Sequence, residues 1–155
     1  HNQNFIEYSP LANKYLEIIS QKIKLFGGGI LIIDYGYLDK NMKNTLQSIS
    51  KHRFNNVLNN FRKSDITYGI NFNLMQKIMK NFNLKISGIT SQKKFLTNIG
   101  ILKRAEIISK NLPFSKKADI YFRVKRLIDE NSMGGIFKVM FATNKNIKFQ
   151  TGFEN

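Results

Sequence analysis

The stretch from Gly27 to Tyr37 constrains the fold most, because three glycines precede four consecutive aliphatic residues and a carboxylate follows them. An apolar run bounded by turn residues predicts a buried strand, and apolar residues on both faces favour a central parallel strand between helices. Ligands of open parallel sheets bind beyond the carboxyl ends of the strands. Asp34, Tyr35 and Gly36 therefore fall where such a fold places its chemistry.

Composition limits the class of protein. The chain has 155 residues, of which 42% are hydrophobic, so we expect residues 1–155 to form a single domain with a core. The lack of cysteine excludes disulfides and thiolate metal sites, and no metal site is expected. The sequence contains no recognisable signal peptide and no apolar run of about 18 residues, which predicts a cytoplasmic protein without membrane insertion. His1 stands where a methionine would begin a chain, so we expect an upstream part to be absent.

A formal net charge of +15 suggests nucleic acid as a partner, because clustered Lys and Arg residues neutralise phosphates. The lysines are scattered, however, and basic residues are locally dense only at Lys93–Lys94, Lys116–Lys117 and Arg123–Arg126. We therefore expect a solvated basic face and no specific nucleic-acid binding. A non-catalytic basic module that binds RNA or a partner protein is the alternative to an enzyme.

Helix and strand signals alternate along the chain, which indicates an α/β fold. Ser9 can cap a helix that begins at Pro10 and ends at the glycines of 27–29, and its predicted buried stripe is Leu11, Tyr15, Ile18, Ile19 and Ile23. A strand over Ile30–Asp34 follows, then a long loop over Tyr37–Ser64 and an extended segment over Asp65–Ile70. Next come a helix capped by Asn71 or Asn73 that runs to about Asn81, a strand over Leu84–Ile89, and a helix from Ser91 to Ser109 that Gly100 breaks or bends. The last predicted elements are a helix capped by Ser115 that runs through Leu127 and a strand over Ile136–Ala142 that begins after Gly134–Gly135. The polar residues after this strand are predicted to fray, with Phe149 and Phe153 as candidates for docking.

Three acidic or basic side chains have more than one interpretation. The segment Phe5-Ile6-Glu7 could be a strand whose acidic residue holds a ribose hydroxyl, but no glycine-rich loop precedes it. His52 in the excursion could be catalytic, or it could be a surface or packing histidine. For Asp34, a functional role in the cleft competes with hydrogen bonds that only shape the turn.

Taken in order, these motifs resemble the C-terminal part of MidA-type methyltransferases. The matching residues are Glu7-Tyr8-Ser9-Pro10, Gly28-Gly29, Ile33-Asp34-Tyr35-Gly36-Tyr37, Thr45-Leu46-Gln47, His52-Arg53, Asp65-Ile66-Thr67, Ile70-Asn71-Phe72, Thr90, Gln92, Phe95-Leu96, Gly100-Ile101, Met133-Gly134 and Phe137-Lys138-Val139. Two positions depart from the family pattern. Lys51 stands where the family has glycine, and Asn71 stands where it has aspartate, which favours helix capping at that position.

The resemblance implies an α/β fold, namely the C-terminal half of a Rossmann-like class I methyltransferase sheet with helical insertions. Ile30–Asp34 would be the fifth strand, Leu84–Ile89 the sixth, and Ile136–Ala142 an antiparallel seventh strand inserted beside the sixth. In the family, a glycine-rich loop and an acidic residue bind the methyl donor. Both would belong to the part upstream of His1, so no cofactor-binding residue is assigned in this chain.

The resemblance also implies a methyltransferase that uses S-adenosylmethionine and acts on a protein, since the mitochondrial relative is an arginine methyltransferase of respiratory complex I assembly. The expected partners are a protein substrate, such as a complex I subunit, and a second copy in a homodimer. The expected location is the cytoplasm of a bacterium or the mitochondrion of a eukaryote.

Methylation of arginine sets demands on the site. A guanidinium is protonated at neutral pH, so carboxylates must orient it and localise its charge away from the reacting nitrogen. We therefore expect two groups of site residues. The expected catalytic residues are Asp34, Tyr35 and His52, and the expected substrate-binding residues are Gly36, Arg53, Asp65 and Thr67.

Overall fold

The computed structural model describes residue 4 and residues 6–59, 62–144 and 150–154. The elements are α1 (Pro10–Phe26), β1 (Gly29–Tyr37), β2 (Gln47–Ser50), β3 (Arg53–Asn55), β4 (Asp65–Thr67), β5 (Ile70–Asn71), α2 (Phe72–Asn81), β6 (Lys85–Ser91), α3 (Gln92–Asn98), α4 (Ile101–Ser109), α5 (Phe114–Ile128), α6 (Met133–Ile136) and β7 (Phe137–Thr143).

The first helix begins and ends as its sequence predicts. Ser9 Oγ accepts a hydrogen bond from Ala12 N at 3.2 Å, Pro10 occupies the first turn, and Gly27 follows the last residue with a φ of 79°. The buried face is different from the predicted stripe. It is formed by Leu16, Ser20 and Ile23, so of the predicted residues only Ile23 is buried, and Leu11, Tyr15, Ile18 and Ile19 are exposed.

Four strands form the main sheet in the order β5-β1-β7-β6. β7 lies between β1 and β6 and is antiparallel to both, with Met140 opposite Ile32 on one side and opposite Ile89 on the other. β5 is parallel to β1 and pairs with it only at Gly36 and Tyr37. The predicted antiparallel last strand beside the sixth strand is confirmed, and the structure shows that it also pairs with β1.

β1 is covered on one face only. Ile30 and Ile32 pack against the core, whereas Leu31, Ile33 and Tyr35 are 47%, 45% and 46% exposed. Among the described residues, helices therefore do not cover both faces of β1, and this prediction is wrong. β7, which pairs with β1 from Gly29 to Tyr35, is antiparallel to it. The aliphatic run alternates between a covered and an open face because successive side chains of a strand point to opposite faces.

The segment between β1 and α2 contains more regular structure than the predicted excursion. β2, β3 and β4 form a small antiparallel sheet in the order β3-β2-β4, and β4 with β5 corresponds to the predicted extended segment. Lys51 and His52 connect β2 to β3 with φ values of 50° and 62°. Two central residues with positive φ make a type I′ hairpin turn, which fits two adjacent twisted strands.

The core lies between the main sheet and helices α1 and α2. Asn71 caps α2, because its Oδ1 accepts a hydrogen bond from Leu74 N at 3.1 Å. The buried side chains are Phe72 and Met79 from α2, with Leu84, Met140 and Ala142 from the strand region, and Met75, Ile78 and Phe82 pack against them. The predicted helix, with Asn71 as one of its two possible caps and its end at Asn81, is confirmed.

Four helices are inserted between β6 and β7. Gly100 separates α3 from α4 and has a φ of 86°, as its position in the sequence predicts. Two details of the prediction are wrong. α5 begins one residue before Ser115, with Pro113 at the N-cap position. Gly134 and Gly135 lie inside the short helix α6, where a Cβ at either glycine would overlap the carbonyl groups of 128–130.

The C-terminal segment packs against the helical insertion. The Phe153 and Phe95 rings are 5.2 Å apart between centroids, which confirms the predicted docking of Phe153. Phe149 lies outside the described residues. No described helix is both long enough and apolar enough to cross a membrane.

Candidate functional site

The carboxyl end of β1 is packed closely against β5 and the start of α2. A Cβ at Gly36 would overlap the carbonyl oxygen of Ile70 and would lie 2.7 Å from Phe72 Cε2. Gly36 therefore has a packing role that no other residue type can fill without displacement of its neighbours. Because α2 begins directly after β5, the end of β1 meets the first turn of a helix.

Asp34 lies at this end of β1 and is half-buried. Its Oδ1 accepts a hydrogen bond at 2.8 Å from Tyr35 N, the backbone amide of the next residue in β1. Its Oδ2 has no hydrogen-bond partner among the residues that the structure describes, so this oxygen is available to a ligand. The next residue, Tyr35, packs its ring on Phe137 with 4.6 Å between the centroids.

Lys138 is a polar neighbour of Asp34 that the sequence prediction did not select. The two residues are direct partners in the antiparallel register of β1 and β7, so their side chains leave the same face of the sheet. Burial lowers the pKa of Lys138 below its ordinary value, and the nearby charge of Lys43 lowers it further. Lys138 Nζ donates a hydrogen bond to the carbonyl oxygen of Gly135. Its presence as a charged residue in the apolar run of 136–142 was the signal that could have identified it.

The loop that follows β1 is held in place from two sides. Tyr37 Oη accepts a hydrogen bond from Lys43 N at 3.0 Å, and Lys43 Nζ lies 5.3 Å from the centre of the Tyr37 ring and pairs with Asp39. From the other side, Asn73 Nδ2 in α2 donates to Leu38 O at 2.7 Å. The loop therefore has one defined path over the end of β1.

Glu7 holds the segment directly before β2 by hydrogen bonds. Its Oε1 accepts hydrogen bonds from Thr45 N at 2.7 Å and Leu46 N at 2.8 Å, and its Oε2 accepts one from Thr45 Oγ1. Thr45 Oγ1 in turn accepts a hydrogen bond from Gly69 N at 2.8 Å. Glu7 thus joins the start of α1 to the segments before β2 and before β5, and the interpretation as a ribose-binding residue gains no support from these contacts.

The remaining predicted site residues lie on the small sheet. His52 and Arg53 are exposed at the β2–β3 hairpin, Asp65 is exposed at the start of β4, and Thr67 Oγ1 accepts a hydrogen bond from Gln47 Nε2 at 3.1 Å. Among the described residues, no hydrogen bond or ion pair joins this group to the residues at the end of β1. The structure therefore brings Asp34, Tyr35 and Gly36 together and places His52, Arg53, Asp65 and Thr67 on a different sheet.

Comparison with known proteins identifies the class. A family model described as "Putative S-adenosyl-L-methionine-dependent methyltransferase" matches residues 1–90, which is more than half of the chain. The chain belongs to this family of S-adenosylmethionine-dependent methyltransferases, and the resemblance to MidA-type methyltransferases is confirmed.

Several curated relatives that the chain matches share the name "Protein arginine methyltransferase NDUFAF7, mitochondrial". The protein of Xenopus tropicalis is 26% identical over 137 residues, which are 88% of this chain and 31% of that protein. The human protein is 26% identical over 151 residues, which are 97% of this chain and 34% of that protein. The chain spans about a third of the length of these relatives.

Two solved structures from Burkholderia thailandensis have the same fold. One, described as an uncharacterized protein, has a TM-score of 0.77 and 22% identity, and the match covers 96% of this chain and 39% of that one. The other is described as a methyl transfer enzyme bound to S-adenosyl-homocysteine, with a TM-score of 0.68 and 23% identity over 93% of this chain and 36% of that one. The Rossmann-like methyltransferase fold with helical insertions is therefore confirmed.

S-adenosylmethionine is the cofactor of the family, and the cavity beside Glu7 is too small to hold it. The cavity between Glu7, Tyr68, Asn71 and Met75 has a volume of about 80 Å³, whereas ligand pockets usually measure about 300–1,000 Å³. Both carboxylate oxygens of Glu7 already accept hydrogen bonds within the protein. The glycines of 27–29 precede a strand instead of following one. No residue of this chain is therefore assigned to the methyl donor.

Proposed function

We propose that the protein takes part in the transfer of a methyl group from S-adenosylmethionine to an arginine side chain of a protein. Membership of the family supports S-adenosylmethionine as the methyl donor, and the name of the relatives as protein arginine methyltransferases supports an arginine acceptor. The observation that carries the proposal is Asp34, which stands at the carboxyl end of β1 with one carboxylate oxygen free of protein hydrogen bonds.

Asp34 has the chemistry that an arginine acceptor requires. Its Oδ2 would accept a hydrogen bond from a guanidinium N–H and would keep the positive charge near the carboxylate, so that one nitrogen points away from it. Oδ1 is fixed by Tyr35 N, and this bond limits rotation of the carboxylate. Positioning of this kind accounts for much of the rate that an enzyme gives to a transfer between two bound groups.

The neighbouring residues support this position. Tyr35 packs on Phe137 on the opposite face of β1, so in this proposal it would hold β1 and β7 together beside Asp34 rather than contact the arginine. Gly36 keeps the end of β1 close to Ile70 and Phe72, and the Tyr37–Lys43 contact holds the loop above it. In this proposal, the chain's residues orient the acceptor and shape the cleft.

The small sheet would provide the outer wall of the acceptor site. His52, Arg53, Asp65 and Thr67 stay predicted substrate-side residues, with His52 as a candidate for direct contact. A respiratory complex I subunit as the substrate, a homodimer, and a mitochondrial location like that of the relatives are further parts of the proposal.

Transfer of labelled methyl groups tests the proposal. The full-length protein is incubated with labelled S-adenosylmethionine and a protein extract, and hydrolysed protein is analysed for methylarginine. We expect labelled methylarginine, and we expect His52→Ala to reduce its amount less than Asp34→Asn does. Label that appears only in methyllysine, in nucleic acid or in small molecules would contradict the proposed acceptor.

A further inference from the structure

The helices inserted between β6 and β7 carry a large share of the positive charge. Residues 92–128 contain ten Lys and Arg residues and two acidic residues, so this segment has a net charge of +8 within a chain of net charge +15. Such a density of one sign attracts acidic groups and disfavours basic ones.

Helix α5 also exposes aromatic side chains beside these cations. It has no buried residue, and Phe114 and Phe122 are 86% and 65% exposed. Phe114, Tyr121, Phe122 and Lys125 recur at helical spacing on one side of the helix. An exposed aromatic stripe next to basic residues marks a surface that contacts another molecule.

A groove lies along the C-terminal half of α5. It has a volume of about 560 Å³ and is lined by Asp119, Phe122, Arg123, Arg126, Leu127 and Met133. Arg123 is occupied, because its Nη2 lies 3.0 Å from Asp119 Oδ2 and its Nε donates to Asp119 Oδ1 at 3.2 Å. Arg126 forms no ion pair within the described part of the chain, so its guanidinium is available to a carboxylate.

A short stretch of chain connects the groove to the candidate site. Met133, which lines the groove, is the first residue of α6, and α6 leads directly into Phe137. Phe137 is the register partner of Tyr35 and packs on its ring. The groove is thus connected along the chain by one short helix to the Tyr35–Phe137 pair, which neighbours Asp34 in β1.

We propose that this groove binds an acidic segment of a protein substrate, with an apolar side chain against Phe122, Leu127 and Met133 and a carboxylate on Arg126. The inference rests on the proposed function, since it describes how a protein acceptor is held next to Asp34. A peptide fits the observations better than a membrane surface, because a concave groove with apolar walls offers room for a side chain. It fits better than nucleic acid as well, because Arg126 is the one unpaired cation among the described residues that line the groove, whereas a phosphate backbone needs several.

Fluorescence anisotropy with synthetic peptides tests the inference. The probe is a labelled peptide of glutamates interspersed with leucines, and the control peptide has glutamine in place of every glutamate. The full chain is titrated without any methyl donor, so the result does not depend on methyl transfer. We expect the acidic peptide to bind, the control peptide to bind far more weakly, and added salt to weaken the acidic peptide.

Variants locate the binding site. Arg126→Glu should weaken binding of the acidic peptide about tenfold, and Phe122→Ala should weaken it as well. Lys14→Glu on α1 makes the same change of net charge at an exposed lysine outside the groove and should leave the affinity nearly unchanged. Circular dichroism and melting temperature show whether each variant is folded.

Three outcomes would overturn the inference. Equal losses for Lys14→Glu and Arg126→Glu would mean that only the net charge attracts the peptide. Equal binding of the two peptides would remove the role of the carboxylates. Binding of anionic phosphatidylserine vesicles or of polyuridine that depends on Arg126, without peptide binding, would assign the surface to a membrane or to RNA. A protein that binds the acidic peptide through Arg126 but forms no methylarginine would contradict the proposed function alone.

Discussion

Asp34 and Lys138 are direct partners in the antiparallel register of β1 and β7, and they do not form an ion pair. The ammonium group of Lys138 donates to Gly135 O, and the carboxylate of Asp34 accepts from Tyr35 N. A carboxylate near the end of β1 is therefore left with one oxygen free of described hydrogen-bond partners although a lysine lies on the neighbouring strand. In the proposed function, this arrangement would leave Asp34 available to a cationic substrate.

Lys138 should make the stability of the protein depend on pH. Its pKa is lowered in the folded protein from 10.5, first by burial and then by Lys43. Between the lowered pKa and 10.5, the unfolded chain binds the proton and the folded chain does not, so the contribution of Lys138 to stability rises with pH. Below the lowered pKa, both states are protonated and the cost of burying the charge is fully present.

The measurement is urea unfolding of the wild type and of Lys138→Met from neutral pH to pH 10.5. The wild type should gain stability relative to the variant as the pH rises through this range. Lys85→Met, at an exposed lysine of β6, serves as the control and should show no such trend. A constant difference between the wild type and Lys138→Met would contradict the lowered pKa.

Gly36→Ala should destabilise the protein by about 1–3 kcal/mol, because the new Cβ would overlap Ile70 O and press on the Phe72 ring. Gly69→Ala is the matched control. A Cβ at Gly69 would meet Thr45 Oγ1 at an ordinary distance of 3.5 Å, so the change in the free energy of unfolding should stay within about 0.5 kcal/mol. Similar losses in denaturant unfolding for both variants would show that the end of β1 is less tightly packed than described.

Glu7→Ala should destabilise the protein by about 1–3 kcal/mol, because it leaves Thr45 N, Leu46 N and Thr45 Oγ1 without their acceptor. Limited proteolysis should cut the segment of 38–46 faster in this variant. Glu17→Ala changes an exposed glutamate of α1 and should alter neither stability nor cleavage. Unchanged proteolysis of Glu7→Ala would mean that other contacts hold this segment.

The positions of the main strands along the chain and the caps of α1 and α2 could be predicted because their signals are local. Ser9 before Pro10 and Asn71 before Phe72 are residues that satisfy the first amides of a helix from their own side chains. The antiparallel last strand came from the family resemblance, and the structure shows it as β7.

The faces of α1 and β1 could not be predicted in this way. The apolar residues of α1 form a wide face of which only one edge meets the core, and β1 is apolar on both faces, so periodicity alone does not tell which side is buried. Leu16, Ser20 and Ile23 are the buried residues of α1, and a buried serine gives no apolar signal. In β1 the same ambiguity concealed the exposed face of Leu31, Ile33 and Tyr35.

Asp34, Tyr35 and Gly36 could be selected as candidates because a carboxylate after four aliphatic residues indicates the end of an apolar strand. The contacts of Glu7 could not, because Thr45 is 38 residues away and only the folded chain brings them together. The same holds for Lys138, which depends on the register of two strands that are far apart in sequence.

The most direct test of the account is methyl transfer by Asp34→Asn in the full-length protein. This variant keeps the shape of the side chain and an oxygen for Tyr35 N but removes the charge that would hold a guanidinium. Formation of labelled methylarginine should fall by at least about 100-fold, while the affinity for S-adenosylmethionine and the melting temperature stay near those of the wild type. Glu17→Gln, an equivalent change on the exposed face of α1, should transfer methyl groups at the rate of the wild type. A folded Asp34→Asn protein with the full transfer rate would contradict the account and would leave Asp34 with only its hydrogen bond to Tyr35 N.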